Sequence, residues 1–348
     1  MLFRSANLKF KFLLNFFAAV ALIGIVPITS ANADVKPKIA IVYDSGGKGD
    51  AGVNDQTYLG IKKAMTKLKI SSFDLKEQIF DPNTAGDRFT RVRFLAKNGY
   101  QLIVCVGAGF APAVNQIGME FPKTQFAIID SEQVPLANVT ALSFARNEGV
   151  FVAGAALALA SKSGKVGFFS DSKNTFAKSD LALFTKGATY AKSNIQVVAK
   201  NSDDVKTAIS ELLKSNVDQI FSTWDSDDQV VKLVQSFNDS LTSTATKVKV
   251  SGILPDQFFW NIAGSNQNSV RYLTIKKRTD IAVEEIITAT YQDRSMKDVL
   301  PGSPGVYGRR YNLKNGGLQI EYVGAITNSA RLSTITSAVR SGKINLQP

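Results

Sequence analysis

Residues Lys36 to Ile61, KPKIAIVYDSGGKGDAGVNDQTYLGI, decide the fold of this chain. An apolar run from Ile39 to Tyr43 stops at Asp44, and a loop with four glycines, Gly46, Gly47, Gly49 and Gly52, follows. Asn54 or Asp55 can then cap a helix whose apolar face begins at Tyr58 and Ile61. A strand, a loop built for close approach and a helix start place this junction at the carboxyl edge of a parallel α/β sheet, where small ligands bind. Asp44 makes that edge rich in hydrogen-bond acceptors, and the segment reads as the first wall of a ligand cleft.

Outward from there the alternation continues. FDLKEQIF precedes TAGDRFTRVRFLAKNG, a helix ended by Gly99; then come QLIVCVG, a helix near Ala111–Glu120, QFAIID and NVTALSF. Continuous apolar strands between amphipathic helices imply a parallel sheet covered on both faces. NEGVFVAGAALALASKSG, residues 147–164, is a nearly all-apolar helix and so a buried one. It opens a second series of KVGFFS, IQVVA, DQIFST and KVKVSGIL with helices between them. Two α/β halves therefore meet near residue 145. YLTIKKRTDIAVEEIITATY reads as a strand feeding a helix, VYGRRYNLKNGGLQIEYVG as a β-hairpin turning at Lys314 to Gly317, and Asn328 to Ser341 as a closing helix. At 348 residues and 45% hydrophobic, the chain is ample for two compact lobes.

Residues 1–33 are a different material. Arg4, Lys9 and Lys11 precede an apolar run from Phe12 to Ile28, and Ala31-Asn32-Ala33 offers small residues to a signal peptidase. The pattern is that of an export signal cleaved before Asp34; an uncleaved membrane anchor is the alternative, with a core at the short end for spanning a bilayer. No cysteine stands directly after the run, which excludes lipid attachment at a mature N-terminal Cys.

The net charge is +12, of which +9 remains on residues 34–348. The basic residues are largely scattered, with clusters at Lys276-Lys277-Arg278 and Arg309-Arg310, so a solvated exported surface fits better than a nucleic-acid footprint. Histidine is absent, which removes Ser-His-Asp, Cys-His and His-metal chemistry. The one cysteine, Cys105, lies in an apolar strand and reads as a core thiol. No cofactor is expected.

These motifs resemble the basic membrane protein (PnrA-like) family of exported solute-binding proteins. The marks are IAIVYDSGG with VND and YLGIKKA, EFPKTQFAIID, and NEGVFVAGAALALASKSGKVGF, followed by DQIFS and the IKKRTDIAV run. The resemblance implies a periplasmic-binding-protein type I fold, two doubly wound parallel-sheet lobes joined by a hinge of three crossings. Lobe one would span 34–145 with a return segment near 278–300; lobe two would span 146–277 with the hairpin and the C-terminal segment, 301–348. It also implies a small-molecule ligand, chiefly a purine nucleoside, handed to an ABC permease and its ATPase without catalysis.

Carried onto this sequence, the resemblance gives Asp44 and Asp130 at strand ends in lobe one, with Asp130 facing the base, and Asn54 at the helix start. Each Asp could equally cap a turn. The family's first stacking ring is missing, because Gly52-Val53-Asn54 stands in its place; Tyr58 and Phe110 are substitutes. The second ring matches Phe184, which could be ordinary core. In lobe two Trp224 could supply a stacking face and Asp225 could contact hydroxyls, where relatives carry a Gly-rich loop. Asp256 remains of the family's ribose-binding acids, and Lys277 aligns with its ribose-contacting Lys. Two other readings compete. Gly47-Lys48-Gly49-Asp50-Ala51-Gly52 satisfies a dinucleotide-binding fingerprint, although Asp44 and Asp50 would repel a pyrophosphate. A ligand sensor that signals to a membrane receptor is the other.

Overall fold

Apolar segments without alternation form the inner strands, as expected of strands covered on both faces. The computed structural model describes residues 36–50, 52–223, 229–253, 270–296 and 298–347. The expected export signal lies outside them. No helix among the described residues is long and apolar enough to cross a membrane.

In chain order, the first half comprises β1 (Ile39–Tyr43), α1 (Val53–Leu68), β2 (Leu75–Ile79), α2 (Asp87–Lys97), β3 (Leu102–Cys105), α3 (Ala111–Glu120), β4 (Gln125–Ile129) and β5 (Val139–Phe144). The second half comprises α4 (Arg146–Ala160), β6 (Lys165–Ser170), α5 (Ala177–Ala191), β7 (Gln196–Asn201), α6 (Val205–Lys214), β8 (Gln219–Ser222), α7 (Gln229–Ser240), β9 (Lys249–Gly252) and β10 (Arg271–Lys277). The chain ends with α8 (Thr279–Tyr291), β11 (Asp298–Val299), β12 (Tyr307–Tyr311), β13 (Leu318–Tyr322) and α9 (Ser329–Arg340).

Two sheets result, ordered β11-β12-β5-β4-β3-β1-β2 and β13-β10-β9-β8-β6-β7. The runs β2-β1-β3-β4-β5 and β7-β6-β8-β9-β10 share one doubly wound, parallel order, so the second half repeats the first. In each, the order reverses at the first strand, and a crevice opens at its carboxyl end.

The expected hairpin does not form. β12 pairs parallel with β5 in the first sheet, and β13 pairs antiparallel with β10 in the second. The Asn312–Gly317 turn is thus a crossing between lobes, and lobe one keeps the chain from α8 through β12. The other crossings run from β5 into α4 and from β10 into α8. They are stitched together: the Ala145 amide donates to the Tyr311 carbonyl at 2.8 Å, and the Arg278 amide to the Gly317 carbonyl at 2.9 Å. The Leu313 amide donates to Glu148 Oε2 at 2.9 Å. Burial pushes the Glu148 carboxyl up, with the Leu313 amide opposing.

α4 is buried nearly all round, as its composition requires, and packs against α5 with almost no separation. A Cβ on Gly187 would lie 1.9 Å from the Phe151 carbonyl oxygen, and one on Gly154 2.1 Å from that of Phe184. Cys105 is wholly buried in β3, and burial pushes its thiol pKa up.

Candidate functional site

Among the described residues, an ion pair joins the carboxyl ends of the two sheets. Asp130, just beyond β4, accepts from Lys277 Nζ at 2.5 Å, and Lys277 is the last residue of β10 in the other sheet. The Lys277 side chain is 8% exposed and that of Asp130 40%, so the lysine is set into its lobe and the acid faces the gap. Asp130 holds φ at +61°, an uncommon conformation for a residue other than glycine.

Asp44 directly follows β1 at the crevice of the first sheet. Its Oδ1 accepts from the Ser45 amide at 2.9 Å and from Arg88 Nη2 at 2.9 Å. Arg88, at the start of α2, lays its guanidinium over the Phe80 ring, 3.6 Å from the centroid, and near Phe110 at 5.1 Å. The loop after β3 makes room for this pair: at Gly107, φ +106°, a Cβ would come within 2.9 Å of Asp44 Oδ2. Two strand spacings, roughly 10 Å, separate the ends of β1 and β4.

Asn54 is buried and clamps the first loop. Its Oδ1 accepts from the Asp44 amide at 3.1 Å, and its Nδ2 donates to the Asp44 and Ser45 carbonyls at 3.4 and 3.3 Å. Neither Asn54 nor Asp55 caps α1, contrary to expectation. Asp50 does so, its carboxylate accepting from the amides of Gly52, Asn54 and Asp55 at 2.8, 3.2 and 3.2 Å. A carboxylate is a stronger acceptor than an amide, and the glycine loop lets it fold back onto the helix end. The helix N-terminus that a pyrophosphate would need is thereby taken, which removes the footing of the dinucleotide reading.

The aromatic candidates divide. Tyr58 is half-buried against the lobe-one core with Lys48 Nζ 4.5 Å from its ring centroid. Phe110 is wholly buried and meets Phe80 edge-on. Phe184 is wholly buried too, stacked on Phe221 at 5.3 Å and 19° in the lobe-two core. Trp224, Asp225 and Asp256 lie outside the described residues.

Three features at these edges were not anticipated. Arg88 is the first. Phe176 is the second: it precedes α5 at the carboxyl edge of lobe two, is 56% exposed, and has the Arg146 guanidinium 5.3 Å from its ring centroid. Its signal was an aromatic residue in the loop between a buried strand and the next helix. The third is the pairing of Arg146, at the first crossing, with buried Asp180 through Nε–Oδ1 and Nη2–Oδ2 contacts of 3.0 and 2.5 Å. At the lobe-two crevice, Asn174 Nδ2 donates to Ser170 Oγ at 3.1 Å and Thr223 Oγ1 at 3.0 Å, tying the ends of β6 and β8.

Two facing sheet ends lined by fixed donors and acceptors suit capture of a solute. Residues 36–297 match the family described as Bmp, ABC transporter substrate-binding protein PnrA-like. The chain belongs to this family. It is thus a solute-binding protein of the ABC-transporter kind. Among its PnrA-like relatives, the ABC transporter nucleoside-binding protein BmpA of Lactococcus lactis is 28% identical over 302 residues, 84% of this chain and 83% of that one. A CD4+ T-cell-stimulating antigen of Listeria monocytogenes is 26% identical over 259 residues, 72% of each chain. An ABC transporter solute-binding protein from Conexibacter woesei superposes with a TM-score of 0.64 at 17% identity, covering 90% of this chain and all of that one, and shares the two-lobed periplasmic-binding fold.

Proposed function

We propose that this protein captures a small, uncharged, nucleoside-like solute between its lobes outside the cytoplasm and presents it to a membrane permease with its ATPase. The observation that carries this reading is the Asp130–Lys277 pair, which puts a ligand-sized acceptor and donor at the meeting point of the two sheet ends. Asp44–Arg88 lies on the same edge of lobe one, and Phe176 offers an exposed ring on lobe two. Every cation in this set has a carboxylate partner, so charge is balanced among these described residues, which favours a neutral polar ligand over an ion. A planar heterocycle can use the ring face, and its sugar hydroxyls the paired acceptors and donors. The relative from Lactococcus lactis, by its name a nucleoside binder, supports the class. The basic, apolar and small-residue pattern of residues 1–33 supports export.

The mechanism needs no bond chemistry. Closure of the lobes on the solute follows from its making contacts with both, so the ligand binds the closed arrangement better than the open one. A thermal-shift panel of nucleosides and free bases tests the class. A true ligand at about 100 times its Kd adds about 2.7 kcal/mol and raises the melting temperature by several degrees. No shift with any nucleoside or base, while the protein melts cooperatively, overturns the ligand class.

A further inference from the structure

Arg88 is a guanidinium built into the lobe-one crevice, and the chain is shaped around it. Asp44 takes one of its N–H donors, the Phe80 ring supports one face of the plane, and a Cβ on Gly109 would stand 3.1 Å from its Cζ and Nη2. Its Nε is buried without a hydrogen-bond partner, and 29% of the side chain stays accessible. Of five N–H donors, the three remaining on Nη1 and Nη2 are free for a ligand. Because Asp44 already balances its charge, Arg88 acts here as a directional fork of donors and gives no net pull on an anion.

We propose that Arg88 is a specificity-determining residue of the cleft, reading adjacent acceptors on an uncharged planar ligand, so that 6-oxopurine nucleosides are preferred to 6-aminopurine nucleosides. This rests on the nucleoside reading above. Guanine and hypoxanthine present O6 and N7 side by side, which match two parallel guanidinium donors, whereas adenine sets an N6 amino donor beside N7 and opposes one of them. Asp130, an acceptor on the same edge of the lobe, adds to the same choice: a 6-oxopurine carries a hydrogen at N1 and adenine does not. Asp44 is then a positioning residue, acting through Arg88.

Titration calorimetry with guanosine, inosine, adenosine and guanosine monophosphate, on protein freed of co-purified solute, tests this. Guanosine and inosine should bind at least about 10-fold more tightly than adenosine. Arg88→Gln and Arg88→Lys should each bring that ratio close to one, since lysine keeps the charge and loses the fork. Independently of any variant, 7-deazaguanosine, which lacks the N7 acceptor, should bind the unaltered protein about 10-fold more weakly than guanosine. A ratio that survives in both variants, equal binding of 7-deazaguanosine, or tighter binding of the monophosphate than of guanosine overturns the inference and leaves the nucleoside reading intact. Binding of none of the four removes that reading and this inference with it.

Discussion

Asp280 ties the return segment to lobe one through a single carboxylate. It is 2% exposed, receives a bidentate contact from Arg278 at 2.7 and 2.7 Å, and meets Lys63 of α1 at 2.9 Å. Burial alone would raise its pKa, yet Arg278 and Lys63 hold it down, from 3.8 to about 2. A folded pKa below the unfolded one means a contribution present above pH ~4 and lost as pH falls toward 2. Unfolding in urea should therefore show stability falling by about 2–3 kcal/mol over that window, with the Asp280→Asn variant already weaker by a similar amount at pH 7 and flatter in pH. Equal slopes in the two proteins would remove the carboxylate from the account. At this scale the sequence was partly legible. Asp44 and Asp130 could be placed because a strand followed by an acid fixes where that acid sits. That Asp50 caps the helix, or that Arg88 reaches across from α2 to Asp44, depends on loop closure between residues up to 44 apart in sequence.

Pairs of elements carry the next level, and α4 with α5 is the sharpest case. The Cβ clash at Gly187 is with backbone, which cannot rotate away. Gly187→Ala must push the two helices apart and should cost about 3 kcal/mol in urea unfolding, against the fraction of a kcal/mol gained from alanine's better helix propensity. A neutral or stabilising result would mean that the helices do not approach so closely. This same approach explains why Phe184 was ambiguous in sequence: its spacing suits a helix face, and only the neighbouring helix decides that the ring stacks on Phe221. Helix and strand positions were legible because burial imposes a period of 3.6 on helices and unbroken apolar runs on strands covered on both faces. The misread hairpin shows where that logic stops. YGRRY and LQIEY each look like a strand, and Asn315-Gly316 looks like a turn, but pairing partners belong to the sheet and not to the segment. Here Gly308, whose backbone lies against Ala141, lets β12 dock on β5, while β13 goes to β10.

For the whole molecule, the repeated strand order places a crevice at the strand ends of each lobe, and three crossings joined by backbone hydrogen bonds link the lobes. Beside that hinge, where Lys277 directly precedes the Arg278 crossing, Asp130–Lys277 is a further contact between the two sheets. A half-exposed pair of this kind is worth about 1 kcal/mol, or about fivefold in the balance between joined and separated lobes. Asp130→Asn isolates the charge, because asparagine keeps the shape of the side chain and tolerates the positive φ. The ligand-free variant should scatter X-rays with a larger radius of gyration than the unaltered protein, and high salt should bring the latter toward the variant by screening the pair. Lys277→Met should act in the same direction. The backbone crossings are untouched by either change, so the unfolding midpoint should move little while the lobes separate. Identical scattering from all three proteins, at low and high salt, would show that the crossings alone set the spacing of the lobes and that this pair is no tie.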